Sequence, residues 1–231
     1  MLRTMNSHFP TRSTDDSLGE QAYRSLRKRI VRLEYSPGDV LREDELREAL
    51  DLGRTPIREA LLRLHREHFV TIVPRRGVYV NGIAVDELPL LFETRSVLEP
   101  YAARLAAERG TEEHWEEMAA VLKEAKDEDL DDVERLELDR SCHELIWTAS
   151  GNRFLWDTLD TLYAQSDRLW HLYLSGVAEM AAALHEHGEI LTALEARDAD
   201  GVERLVEAHV RSFDAHIRTL VQSSEDGSAL R

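Results

Sequence analysis

Cysteine is nearly absent from this 231-residue chain; Cys142 is the single one, which excludes an internal disulfide and suits a reducing cytoplasm. No apolar run approaches the roughly 20 residues that a membrane-spanning helix requires, so no membrane partner is expected. The first 17 residues lack the apolar stretch of a signal peptide and read as a disordered leader. No internal repeat is evident, and strand signals stop before Asp86. Positive charge is also in deficit. With 29 Lys+Arg against 45 Asp+Glu the net charge is -16, which taken as a whole argues against a nucleic-acid partner, because phosphate contacts need cations.

The distribution of charge reverses that argument. Residues 18–82 hold 13 Lys+Arg against 10 Asp+Glu, a balance of +3, whereas residues 83–231 hold 14 against 33, a balance of -19. The acidic part can repel DNA and help to orient the basic part. The length fits two ordinary domains, and 42% hydrophobic residues suffice for real cores.

Residues 19–34 place apolar side chains at 22, 23, 26, 30, 31 and 33, close to helical spacing, before Ser36-Pro37-Gly38-Asp39 breaks the pattern. A short helix is expected over about 42–49, and a third over 54–68 with Ile57, Ala60, Leu61 and Leu64 on its buried face. The period then shortens. Val70-Thr71-Ile72-Val73 and Val78-Tyr79-Val80 flank Pro74-Arg75-Arg76-Gly77 and read as a β-hairpin with a basic tip. Three helices and a hairpin make a winged helix-turn-helix. Beyond it, helices are expected over 86–108, 111–126, 131–149, 152–174, 177–196 and 199–221. The fold class is therefore mainly α: an N-terminal winged helix-turn-helix over 18–82, an antiparallel all-helical bundle over 83–222, and a disordered tail over 223–231.

Arg54-Thr55-Pro56-Ile57-Arg58-Glu59-Ala60-Leu61 carries the most information. Pro56 fits the first helical turn, where its missing N–H costs no intrahelical bond. Arg54 and Arg58, four residues apart, share one face with Thr55 at the helix start, opposite the apolar positions. Such a face can read guanine in the major groove, while Arg75 and Arg76 can reach phosphates or the minor groove. The plain alternative is a solvated amphipathic helix.

The stretch PGDVLREDELREALDLGRTPIREALLRLHREHFVTIVPRRGVYV resembles the N-terminal domain of GntR-family regulators, in which "RTPxREAL" opens the recognition helix and a "PxRG" wing follows. The resemblance implies a homodimer on a two-fold symmetric operator in double-stranded DNA, with Arg54, Thr55, Arg58 and the wing near Gly77 at the DNA. Two positions depart from the pattern. Gly53 stands where Ser or Thr commonly caps the recognition helix, and Asp51 where a turn glycine is common.

In the acidic part, Asp139 and His143 are four residues apart and so share one helix face. His187 and His209 each lie roughly 10–12 residues, about 15–18 Å, from the bend near Ala199, which puts them at similar heights in an antiparallel hairpin. One Asp and three His suit zinc, nickel, manganese or iron. The alternative is that these are ordinary surface or hydrogen-bonded histidines. His185 lies about 200° around the helix from His187 and is expected to be exposed, and His216 is a competing ligand two turns beyond His209.

ETRSVLEPYAARLAAERGT, DRSCHELIWTASGN and EHGEILTALEARDADGVERLVEAHV resemble, in that order, the FCD-type effector domain of the FadR-like branch of the same family. That resemblance implies a divalent metal, zinc first, on Asp139, His143, His187 and His209. Arg95 is read either as a carboxylate clamp for an effector or as a salt bridge with Glu99; Asn152 is read as a pocket donor or a helix N-cap. Together these readings describe a transcriptional regulator, a repressor controlled by a small carboxylate metabolite, and not an enzyme. Two rivals stand beside it: a metal-dependent hydrolase in the helical domain, and a regulator whose metal is purely structural.

Overall fold

A computed structural model of the chain describes residues 17–82, 85–127, 129–173 and 177–228. The leader expected over 1–17 therefore lies outside the described residues except for Ser17, whose hydroxyl accepts from Glu20 N and caps the first helix. The chain divides into two compact units. One comprises the described residues up to Val85 together with the part of the seventh helix from Tyr163 onward; the other comprises Asp86–Leu162 and the described residues beyond Ser175.

The first unit is a winged helix-turn-helix. Helices α1 (Leu18–Val31), α2 (Glu43–Leu50) and α3 (Arg54–Arg66) are followed by strands β2 (Val70–Val73) and β3 (Gly77–Val80). A strand that sequence spacing does not reveal, β1 (Val40–Leu41), pairs antiparallel with β3, so the sheet order is β1-β3-β2. Two residues are too few to establish an alternating period. The core joins Leu26 and Ile30 of α1 to Ile57 and Leu64 of α3, with Phe69, Val70, Val78 and Val80 beneath. The i, i+3, i+4 spacing of these residues is what commits each helix to one buried face.

Polar bonds fasten the end of α3. Tyr23 donates its hydroxyl hydrogen to Glu67 at 2.6 Å, and Arg63 stacks over the Tyr23 ring while donating to Glu67 at 3.0 Å. Helix α7 (Arg153–Tyr173) contributes its later turns to the same unit. Ala164 joins the core, Gln165 donates to the Glu67 carbonyl at 2.9 Å, and Arg168 donates to the Asn81 carbonyl at 2.7 Å.

The second unit is helical throughout its described residues. After a 3-10 turn (Val85–Glu87) come α4 (Leu88–Arg109), α5 (Glu112–Glu124), α6 (Asp132–Ala149), α8 (Val177–Glu195) and α9 (Ala199–Ser228). Helix α9 lies along α4, and α6 packs on α4, α5 and α8. Asp131 and Glu134 form a capping box that fixes where α6 begins. This sets the rotation of a buried stripe through Leu136, Asp139, Cys142, His143, Ile146 and Trp147. Helix α9 is assigned to Ser228, six residues past the 222 at which the helical domain was expected to end; residues 229–231 lie outside the described residues.

Asp51 ends α2 in the left-handed region at φ +51°. That conformation costs a residue with a Cβ roughly 1–2 kcal/mol, against about 0.5–1 kcal/mol for the extra chain entropy of glycine. The difference favours glycine. Asp51→Gly is expected to stabilise the first unit by roughly 0.5 kcal/mol, read as a higher urea midpoint with an unchanged m-value.

Candidate functional site

Two groups of side chains carry the chemistry, one in each unit. In the first, Arg54, Thr55 and Arg58 stand exposed on α3, opposite the buried Ile57, Ala60 and Leu61. Gly53 caps the helix without a side-chain hydrogen bond, so no cap hydroxyl stands at this end of α3. Both arginines are engaged by α2. Arg58 Nε donates to the two carboxylate oxygens of Glu43 at 2.9 Å each, while Arg54 lies 4.0 Å from Glu43 and 3.7 Å from Asp44.

The wing turns through Pro74, Arg75 and Arg76, with Val73 paired to Gly77. Arg75 and Arg76 are exposed. Gly77 adopts φ +125°, where a side chain would be strained, so the turn needs glycine there. Arg75 adopts φ +63° without being glycine, in the left-handed region that the tight turn requires.

In the second unit Asp139 and His143 on α6 meet His187 on α8 and His209 on α9, all four buried, with one ligand atom from each lying within 4.8 Å of the others. His187 Nε2 is 2.9 Å from Asp139 Oδ1, and His143 Nε2 is 3.6 Å from Asp139 Oδ2. Cys142, in the same stretch of α6, is fully buried and is not part of the group. Burial first, and the Asp139 charge second, push its thiol pKa upward, so it stays protonated. His185 is exposed, and His216 stays outside the group.

Carboxylates back two of the imidazoles. His143 Nδ1 lies 2.9 Å from Glu99 Oε2, and His209 Nδ1 lies 2.6 Å from Glu186 Oε2. With those carboxylates ionised, each Nδ1 carries the hydrogen and each Nε2 presents a lone pair. Yet the two Nε2 atoms are only 3.2 Å apart. Two lone pairs facing at that distance repel unless a proton or a cation lies between them. The donor set, three imidazoles and one carboxylate with outer carboxylates fixing the ring tautomers, fits a divalent metal.

The electrostatics of Asp139 and His187 suit this donor set, whereas those of His209 favour a proton in the same place. Burial would raise the Asp139 pKa, but the His187 hydrogen bond and the charges of His143, His187 and His209 outweigh it and hold the group well below the usual carboxylate range. Glu99 behaves alike: burial pushes it up, while Arg95 and then His143 draw it down to about 2. Burial lowers His187 to about 4 despite its bond to Asp139, favouring the neutral ring that a metal requires. His209 is opposed by burial too, but the hydrogen bond to Glu186 and the nearby carboxylates raise it above the usual histidine value.

Of the other two residues singled out from sequence, Arg95 donates Nε to Glu99 Oε1 at 2.5 Å, with both side chains 1% exposed. Its guanidinium lies 5.6 and 5.4 Å from the Phe92 and Phe213 ring centroids, which are themselves 5.5 Å apart. Asn152 caps α7, its Oδ1 accepting from Phe154 N at 3.1 Å and Leu155 N at 3.3 Å. Sequence reasoning took Glu99 only as a partner for Arg95 and passed over Glu186 altogether. The one signal for Glu186 is that it precedes a ligand candidate on a helix otherwise rich in small and apolar residues.

A winged helix-turn-helix joined to a helical unit with a buried Asp/His cluster is the build of a DNA-binding transcriptional regulator. Residues 18–80 match the gntR family of bacterial regulatory proteins, and residues 90–212 match the FCD domain. The chain therefore belongs to the GntR family, with an FCD domain as its second unit. The HTH-type transcriptional repressor RspR of Escherichia coli (strain K12) is 31% identical over 213 residues, covering 90% of this chain and 92% of that protein. The Nta operon transcriptional regulator of Aminobacter aminovorans is 28% identical over 195 residues, covering 84% and 91%. Among solved structures, E. coli McbR/YncC shares the fold with a TM-score of 0.79 at 24% identity, covering 91% of this chain and 100% of that one. By name, RspR and the Nta operon regulator are transcriptional regulators and not enzymes.

The buried Arg95–Glu99–His143 chain makes a stability test. Glu99→Gln removes the buried carboxylate bonded to Arg95 and His143, a change expected to destabilise the second unit by about 3–5 kcal/mol in urea unfolding. Arg95→Met combined with Glu99→Leu, which removes both charges, is expected to cost clearly less.

Proposed function

We propose that the chain is a metabolite-responsive repressor that binds a two-fold symmetric operator as a homodimer and holds a divalent metal, zinc first, on Asp139, His143, His187 and His209. The observation that carries the metal is the pair of opposed Nε2 atoms at 3.2 Å, each ring being fixed from behind by a carboxylate. Three imidazoles and a carboxylate suit zinc, and nickel, manganese and iron accept the same donors. A metal bound there offers a Lewis-acidic position that a small organic acid can occupy.

The chain's own residues set the terms of that binding. Glu99 and Glu186 orient His143 and His209, and burial keeps His187 neutral. Arg95, paired with Glu99, holds that carboxylate against His143. Binding alters operator affinity to the extent that the acid prefers one conformation of the dimer. On the DNA side, Arg54, Thr55 and Arg58 read base edges in the major groove, and Arg75, Arg76 and the backbone at Gly77 hold the flank of the site. The action as a repressor follows what the RspR name says of that relative.

Support for the homodimer comes from α4. Leu90, Val97 and Tyr101 are 62, 66 and 48% exposed and follow heptad-like spacing along one face. Val97→Asp is expected to shift the protein from dimer to monomer in light scattering and to weaken operator binding with it.

Elemental analysis of the purified full-length chain tests the metal. About one divalent ion per chain, zinc foremost, is expected in wild type and its loss in His187→Ala. Small carboxylates are then expected to raise the melting temperature, by about 2.7 kcal/mol of stabilisation at a hundredfold excess over Kd. No metal in wild type even after loading overturns the site. Metal present, with chelation unfolding the unit and no carboxylate shifting the melting temperature, makes the metal purely structural.

A further inference from the structure

Glu43 opens α2 and lies against the polar face of α3. Its two carboxylate oxygens both accept from Arg58 Nε at 2.9 Å, and the same carboxylate lies 4.0 Å from Arg54 Nε. The Arg58 side chain is 57% exposed and that of Glu43 31%, so the pair stands at the surface formed by the recognition face. An exposed ion pair adds little to folding stability. As a charge, a carboxylate at this face works against DNA, because it repels phosphate.

What the pair supplies is orientation. A guanidinium is planar, with its N–H donors in a fixed fork. When Nε–H is committed to Glu43, the Nη1 and Nη2 edge remains as the end-on fork that matches guanine O6 and N7. The carboxylate also offsets the positive charge that would otherwise grip phosphate at any sequence. We propose that Glu43 is a specificity-determining positioning residue: it presents Arg58 end-on to a guanine and suppresses sequence-independent binding. The proposal rests on the reading that Arg58 contacts operator DNA.

The test uses the full-length protein and two duplexes: one enriched by the wild-type protein from a randomised pool, and one scrambled to the same composition. Glu43→Gln is expected to lower the ratio of the two affinities about tenfold, the size of one lost base contact. Beside that loss, the scrambled duplex is expected to bind more tightly, with a salt dependence steepened by about 0.9 in log K against log salt, one phosphate's worth. Glu43→Asp keeps the charge but withdraws the carboxylate; it is expected to lower the ratio with the wild-type salt slope. In an Arg58→Ala background, neither substitution is expected to change the ratio further.

A wild-type ratio in both Glu43 variants, with Arg58→Ala defective on the enriched duplex, overturns the role of Glu43 alone. An equal loss with and without Arg58 shows that Glu43 acts some other way and overturns it too. Full binding of the enriched duplex by Arg58→Ala overturns the reading of the recognition helix, and this proposal with it.

Discussion

Asp139 carries a carboxylate into the centre of a helical bundle, and a buried carboxylate persists only where donors or cations face it. His187 and His143 face it directly. Each imidazole then has a second nitrogen to satisfy, and His143 turns to Glu99, which in turn draws Arg95. His209, opposed to His143, turns to Glu186. One buried acid therefore prescribes side chains on α4, α6, α8 and α9, and the bundle is organised around it as much as around its apolar contacts. Removing a single link exposes the cost of the others.

Charge is divided between the two units with the same economy. The acidic second unit provides a setting in which a cation is welcome, while the first keeps a small positive balance for phosphate. Within the first unit the division repeats on a smaller scale. Acidic residues occupy the first turn of α2, where the helix dipole favours them, and from there Glu43 reaches the arginines of α3. A negative group thus stands among the arginines on the exposed face of α3.

Much of this was legible in the residues alone. The apolar spacing of α1 and α3 and the shortened period of the wing place those elements, and Asp139 with His143 follows from an i, i+4 interval on one helix. Equal distances from a bend made His187 and His209 candidates, and the resemblance to the FCD-type domain selected them. What sequence spacing leaves open is the rotation of one helix against another, since that is set by packing. Glu186 on α8 meeting His209 on α9, and Glu43 meeting Arg58 across the turn, depend on that rotation. β1 escaped for a different reason: its two residues take their extended form from pairing with β3 and carry no pattern of their own.

Cys142 is the chain's single thiol, fully buried in the stretch of α6 that carries Asp139 and His143, and its proton is held by burial and by the nearby carboxylate. A thiol in that condition does not react with alkylating agents while the helices are closed, because attack needs both access and the thiolate. Its labelling rate is consequently a clock for the opening of this one region. The molecule carries an intrinsic, single-site gauge of how often its interior breathes, and that gauge reads the neighbourhood of the histidines without any added probe.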